Sequence, residues 1–197
     1  MLRSRAMSPL AYTALIDPLL KGAHRAVVEH VPVRARVLDA CCGPGALSRR
    51  LAGDGREVLG VDLDTSLIAF ARERARRRSI QGLSYEEGDV TALKQADGSF
   101  DVCVITMGLH ALPRAVRRAA IAELRRVGRR VVIVDYAVPL PRNPAGGLAR
   151  AIEWRAGGEH FAGFRDYVRR GGLDDLVDGD GSGRQRLALG VLELVVL

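Results

Sequence analysis

Aromatic side chains are scarce in this chain: phenylalanine, tyrosine and tryptophan make up 5% of its 197 residues. Few platforms are therefore available on which single-stranded nucleic acid could stack its bases. Lysine is nearly missing as well. Lys21 and Lys94 are the only two, so arginine carries the net charge of +7. That charge keeps nucleic acid and an anionic membrane surface among the partners to be weighed. Cysteine is limited to Cys41, Cys42 and Cys103, too few and too close for a disulfide framework, which favours a reducing compartment. No C-x-x-C pair and no closely spaced histidines occur, so no metal site is expected. Long apolar runs are absent too: nothing approaches the about 18 residues that a membrane span requires. Near the N-terminus basic residues precede an apolar stretch, but Pro9, Asp17 and Pro18 interrupt it and no cleavage pattern follows. The expectation is a soluble, cytoplasmic protein.

What is present is an alternation. Apolar runs at 34–40, 57–63, 83–90, 100–107 and 129–138 read as strands, and amphipathic patterns at 44–53, 65–78 and 113–128 read as helices. Such alternation predicts an α/β domain with a parallel sheet covered by helices on both faces. The rhythm breaks after 138. A proline-rich turn, two short helices (145–156 and 160–170) and a Gly/Asp loop (171–183) follow. RQRLALG and VLELVVL then read as a closing β-hairpin turning near Gly190. The whole is expected to be one domain: an N-terminal helical segment (1–33), a binding core (34–138), and cap helices with the closing hairpin (139–197).

The chemistry concentrates in VLDACCGPGALS, from Val37 to Ser48. In a sheet of this kind ligands bind at the carboxyl ends of the strands, where strand order reverses. Gly43 and Gly45 let the backbone turn sharply and come close to a ligand. The helix that follows offers unpaired N–H groups. The third glycine of G-x-G-x-x-G is missing, which argues against a dinucleotide-binding dehydrogenase. An acid before the loop, Asp39, instead suits a ligand carrying a cationic amine. Asp62 ends the second strand, 23 residues later, where a carboxylate can take both ribose hydroxyls. Asp89, in the Gly-Asp-Val expected to end the third strand, can accept from an adenine amino group. Three acids on three consecutive strands thus describe a ligand that is an amino acid at one end and a nucleoside at the other.

On these residues the sequence resembles the class I S-adenosylmethionine-dependent methyltransferases, and among them the ubiquinone- and menaquinone-biosynthesis-like small-molecule enzymes. VLDACCGPG is similar to their first motif, VLGVDLD to the second-strand acid, EEGDV to the adenine segment, and FDVCVITMGLHAL to the fourth-strand segment. ELRRVGRRVVIVDY is similar to their fifth-strand region. The resemblance implies a Rossmann-like fold with a mostly parallel seven-stranded sheet and an antiparallel C-terminal hairpin. It implies S-adenosylmethionine as cofactor, S-adenosylhomocysteine as product, and no metal. It places the cofactor against Asp39, Ala40, Cys41, Gly43 and Gly45, then Asp62 and Leu63, Asp89 and Val90, and Met107, with Tyr12 closing over the methionine end. Little chain follows the fifth strand, so the acceptor cap is expected to be small, built from 1–30 and 140–170.

His110, after the fourth strand, stands where a methyl acceptor belongs and is the candidate general base. His160 is a second candidate, with Glu159, Phe161, Phe164 and Tyr167 as pocket lining, although helix packing explains those aromatics equally well. The arginine runs at 72–78 and 125–130 read as solvated outer helix faces rather than an RNA surface. Cys41 and Cys42 read as small loop residues and Cys103 as core. DGDGSG (178–183) imitates a calcium loop, but its twelfth position is Leu189, and calcium is rejected. The expected activity is methyl transfer to a small-molecule or lipid-like acceptor at O, C or N. An RNA methyltransferase is disfavoured, because Met-Gly-Leu-His stands after strand four where base-amino methylation uses Asn/Asp-Pro-Pro-aromatic. A binder of the cofactor without turnover stays open.

Overall fold

The computed structural model describes residues 8–177 and 183–197. Five strands, β1 (Arg36–Ala40), β2 (Glu57–Asp62), β3 (Leu83–Glu87), β4 (Val102–Thr106) and β5 (Val131–Tyr136), run parallel. β6 (Arg184–Leu187) and β7 (Leu192–Val196) form an antiparallel hairpin that adds to β5. The order is β3-β2-β1-β4-β5-β7-β6, so the strand order reverses between β1 and β4. The seven-stranded sheet and its antiparallel edge are as expected. The hairpin turns through a short 3-10 segment, Ala188–Gly190, as the sequence indicated.

β4 and β5 are VCVIT and VVIVDY, almost entirely buried. Unbroken β-branched runs of this kind are the mark of a sheet covered on both faces. Right-handed crossovers then put α3 (Ala46–Leu51) and α4 (Thr65–Arg77) on one side and α5 (Arg114–Val127) on the other, and α2 (Lys21–Glu29) packs against α3. α6 (Pro144–Ala156) and α7 (Gly158–Arg169) form the cap beside α5, and α1 (Pro9–Leu15) packs near α4. α4 starts where Asp64 accepts from the amides of Ser66 and Leu67, a standard N-cap.

Two expectations need amending. β3 ends at Glu87, and Gly88-Asp89-Val90 lies in the loop beyond it. The reason is local: the Asp89 carboxylate accepts from both the amide and the hydroxyl of Thr91, and turns the chain off the sheet. On α5, whose pattern reads as an ordinary amphipathic helix, the buried stripe includes an arginine: it is Arg117, Ala120, Ile121, Leu124 and Val127. Arg117 takes a core position because its guanidinium is satisfied by the carbonyls of Leu109 and Gly163 and the carboxylate of Asp166. Arg72, Arg76, Arg77, Arg78, Arg125, Arg129 and Arg130 are exposed, as expected of solvated faces. The DGDGSG segment, apart from Gly183, lies outside the described residues. Among the described residues no helix is long and apolar enough to cross a membrane.

Candidate active site

Asp39 sits on β1 opposite Gly60 and Val104, at the point where strand order reverses. Its carboxylate is fully buried and accepts one side-chain hydrogen bond, from Ser48 Oγ at 2.6 Å. Burial pushes its pKa up, the Ser48 bond holds it down and the nearby Asp62 charge raises it further, leaving it at about 7. After Ala40, wholly buried in the sheet, the chain turns through Cys41 (φ 52°), Gly43 (φ 52°) and Gly45 (φ 74°) into α3. Such left-handed backbone is costly for side chains but free for glycine. At Gly45 a Cβ would also overlap the Tyr85 hydroxyl, whereas at Gly43 it would point into open space. Gly43 is thus a cradle, and Gly45 a packing necessity.

Asp62 ends β2, half-buried. Its Oδ2 accepts from the Gly43 amide at 2.8 Å and its Oδ1 from the Asp64 amide at 3.0 Å. Burial raises its pKa while these two amides restrain the rise. Each oxygen keeps a further lone pair for a ligand hydroxyl. Leu63, 69% exposed, and Asp89 lie at the surface, and Val90 is buried. Met107 follows β4 with φ 56°.

A cavity of about 30 Å³ lies between the N-terminal helices and the Asp39 loop. Its walls include Tyr12, Asp39, Cys41 and Gly43 together with Asp17, His24 and Thr106. Three buried polar atoms on those walls, Asp17 Oδ1, His24 Nδ1 and Thr106 Oγ1, have no hydrogen-bond partner among the described residues. Native interiors rarely leave such groups unpaired, so their convergence here is the mark of a ligand site. Burial raises the Tyr12 hydroxyl's pKa, and the Asp17 and Asp62 charges add to the effect. A larger hollow of about 470 Å³ opens at the amino ends of β1–β3, around Arg36, Glu57 and Ser99. It is remote from these acids and holds none of the unpartnered atoms.

His110 follows β4 but lies below the rim rather than on it, 3% exposed. Its Nδ1 meets Asp135 Oδ1 at 2.7 Å, and Asp135 also accepts from the amides of Leu109, His110 and Tyr136. On the other side of the ring, Nε2 lies 3.6 Å from Glu153 Oε1. Glu153, on α6, accepts from the Tyr136 hydroxyl at 2.8 Å and meets His160 Nε2 of α7 at 2.8 Å. Burial disfavours a charged His110 ring, yet Asp135 and Glu153 outweigh it and raise its pKa. Glu153 is displaced the other way: burial raises its pKa, and the bonds and charges of His160, His110 and Tyr136 lower it overall. Phe164 and Tyr167 pack into the core, and Glu159 is exposed.

Glu153 and Asp135 escaped sequence reasoning. Glu153 sits in no motif and reads as a surface acid, and Asp135, though inside the fifth-strand segment, reads as a strand-end residue. The one signal was an acid in the otherwise apolar run VVIVDY.

Residues 37–130 match a family model described as a methyltransferase domain. A demethylmenaquinone methyltransferase of Beutenbergia cavernae is 40% identical over 107 residues, 53% of this chain and 42% of that protein. The demethylmenaquinone methyltransferase of Thermus thermophilus is 35% identical over 141 residues, 68% of this chain and 61% of its own. Over this region the chain is similar to the class I methyltransferases. It spans less than two thirds of the length of either relative. A structure of a SAM-dependent methyltransferase from Aquifex aeolicus superposes with a TM-score of 0.65 over 97% of this chain and 98% of the other. At 14% identity that likeness is one of fold. Within the class I frame, Asp39, the Gly43 cradle and Asp62 lie at the carboxyl ends of β1 and β2, on the end of the sheet where this fold takes its ligand.

Proposed function

We propose that this chain transfers a methyl group from S-adenosylmethionine to a small-molecule or lipid-like acceptor. The observation that carries the reading is the cavity beside Asp39, where a buried carboxylate and three unpartnered polar atoms face one another next to the Gly43 cradle. A ligand with an ammonium and a carboxylate satisfies such a mixture of acceptors and donors. In this reading Asp39 meets the cationic amine, Asp62 the ribose hydroxyls, and Asp89 the adenine edge. Ala40, Cys41, Gly43, Gly45, Leu63, Val90 and Met107 shape the walls, and Tyr12 covers the methionine end. When bound, S-adenosylmethionine supplies a methyl group already activated on a sulfonium.

The protein's contribution is then alignment and exclusion of water. Holding two reactants in line can supply about 7–11 kcal/mol of a barrier. Asp135 fixes the His110 ring through Nδ1, and His110 is the acceptor-side catalytic residue, taking the acceptor's proton where there is one to lose. The relatives named as demethylmenaquinone methyltransferases support an aromatic or lipid-like acceptor. The rings of Tyr136 and Phe164 pack edge-on against His110 and make its surroundings apolar.

The test is to incubate the protein with methyl-labelled S-adenosylmethionine and a fractionated cell extract. Label in the organic or small-molecule fraction is expected, and His110→Ala should slow its transfer while leaving affinity for S-adenosylhomocysteine unchanged. Nuclease-sensitive label, or no binding of S-adenosylhomocysteine by calorimetry, would overturn the reading.

A further inference from the structure

We propose that His110, Glu153 and His160 bind a divalent first-row transition metal ion of the zinc or iron(II) kind, with at least one coordination position left for an acceptor. The three residues come from different elements: the turn after β4, α6 and α7. Nothing in their sequence spacing announces a site. Yet one ligand atom from each lies within 4.8 Å of the others. With bonds of about 2.1 Å, movements of about 1 Å would bring all three onto one ion.

The donor set selects the metal. Two imidazoles and one carboxylate suit zinc, iron or cobalt, whereas magnesium and calcium demand oxygen. The outer partners are those a metal site needs. A ligating histidine characteristically donates its other ring N–H to a carboxylate, which fixes the ring and presents the remaining nitrogen's lone pair. His110 does this through Nδ1 and Asp135, directing Nε2 at Glu153. Glu153 is itself steadied by the Tyr136 hydroxyl at Oε1.

An ordinary ion pair between α6 and α7 accounts for less of this. It would need only His160 and Glu153. It leaves unexplained why a buried ring points Nε2 at the same carboxylate from 3.6 Å, too far for a hydrogen bond. An ion between the three accounts for that gap. Access is available as well, because the His160 side chain is 37% exposed while His110 and Glu153 are buried.

The metal site stands on its own geometry, but its use rests on the methyl-transfer reading. An ion here would favour acceptors that offer a hydroxyl or enol oxygen. It would lower that oxygen's pKa, and so take over the proton-removing task otherwise given to the His110 ring.

The test uses the full chain, stripped with a chelator and dialysed. Cobalt(II) is titrated in while visible absorption is followed, and calorimetry with zinc follows. S-adenosylhomocysteine binding is measured on the same samples. The expected result is one cobalt per chain, displaced by one equivalent of zinc. Affinity should fall at least tenfold in Glu153→Gln and His160→Ala, while S-adenosylhomocysteine binding stays as in the wild type, which also reports that the variants are folded. His160→Ala, at a partly exposed position, keeps the test sound if Glu153→Gln does not fold. No stoichiometric cobalt binding, or equal binding by wild type and His160→Ala, would overturn the proposal. Cobalt binding without S-adenosylhomocysteine binding would uphold the metal site and sink the methyl-transfer reading instead.

Discussion

The protonation of Asp39 should govern how tightly this chain holds S-adenosylhomocysteine. In the free protein the carboxyl is wholly buried with Ser48 Oγ as its only side-chain donor among the described residues, and its pKa stands at about 7. A bound ammonium favours the ionised form and returns the pKa toward the ordinary value of about 4. The difference of about 3 units corresponds to about 4 kcal/mol of coupling between amine and carboxylate. Below pH 7 the protein must surrender a proton in order to bind, so affinity is lost as pH falls. The loss is about tenfold per unit, and close to a hundredfold from pH 8 to pH 5. The ligand's own α-amino group, with a pKa of about 8, stays charged from pH 5 to about pH 7 and is half charged at pH 8, which takes about a factor of two off the span. Isothermal calorimetry in buffers of differing ionisation heat reads both quantities. At pH 6 about one proton should be released per binding event, and Asp39→Asn should bind weakly at pH 8 with a flat profile. A wild-type affinity independent of pH between 5 and 8, or the same slope in Asp39→Asn, would refute the assignment.

Other outcomes follow from the same geometry. Asp62→Ala should weaken S-adenosylhomocysteine binding by about a hundredfold, the worth of charge-assisted hydrogen bonds totalling about 3 kcal/mol; near wild-type affinity in calorimetry would remove the ribose from that carboxylate. Gly45→Ala should lower stability by more than about 2 kcal/mol in urea denaturation, because left-handed backbone strain is joined by overlap with Tyr85. Gly43→Ala meets no neighbour, so it should cost about 1 kcal/mol of stability and show its main effect in ligand affinity. His24, buried with its pKa lowered to about 4 by desolvation and then by Arg50 and Arg49, binds its proton more readily unfolded. Stability from this residue is therefore present above pH 6.5 and falls by about 2 kcal/mol by pH 5. Asp39 bends the curve the other way over that range, since its folded pKa is raised, so the difference between wild type and His24→Leu isolates the histidine. An identical pH slope in His24→Leu would dismiss this account.

The turn from Asp39 into α3 was legible in the sequence because its determinants are local. A strand-end acid, two glycines at fixed offsets and a following helix all fall between Asp39 and Leu51. The sheet was legible for a similar reason, since VCVI in β4 and VVIV in β5 are continuous apolar runs. Boundaries failed where one side chain redirects the backbone, as Asp89 does through Thr91. Long-range pairing was not legible at all. Arg117 reads as one of many surface arginines until Leu109 and Gly163 supply carbonyls to it from two other segments. Glu153 likewise reads as a helix-surface acid until His110 and His160 arrive beside it.

The amide of Gly43 donates to the same carboxylate that we propose holds the ribose. A nucleoside drawing on Asp62 therefore also adjusts the loop that receives the amino-acid half. The two halves of the ligand are joined through the protein as well as through their own covalent bond. Adenosine and methionine offered as separate fragments should consequently influence one another's binding, each raising or lowering the other's affinity by the same factor.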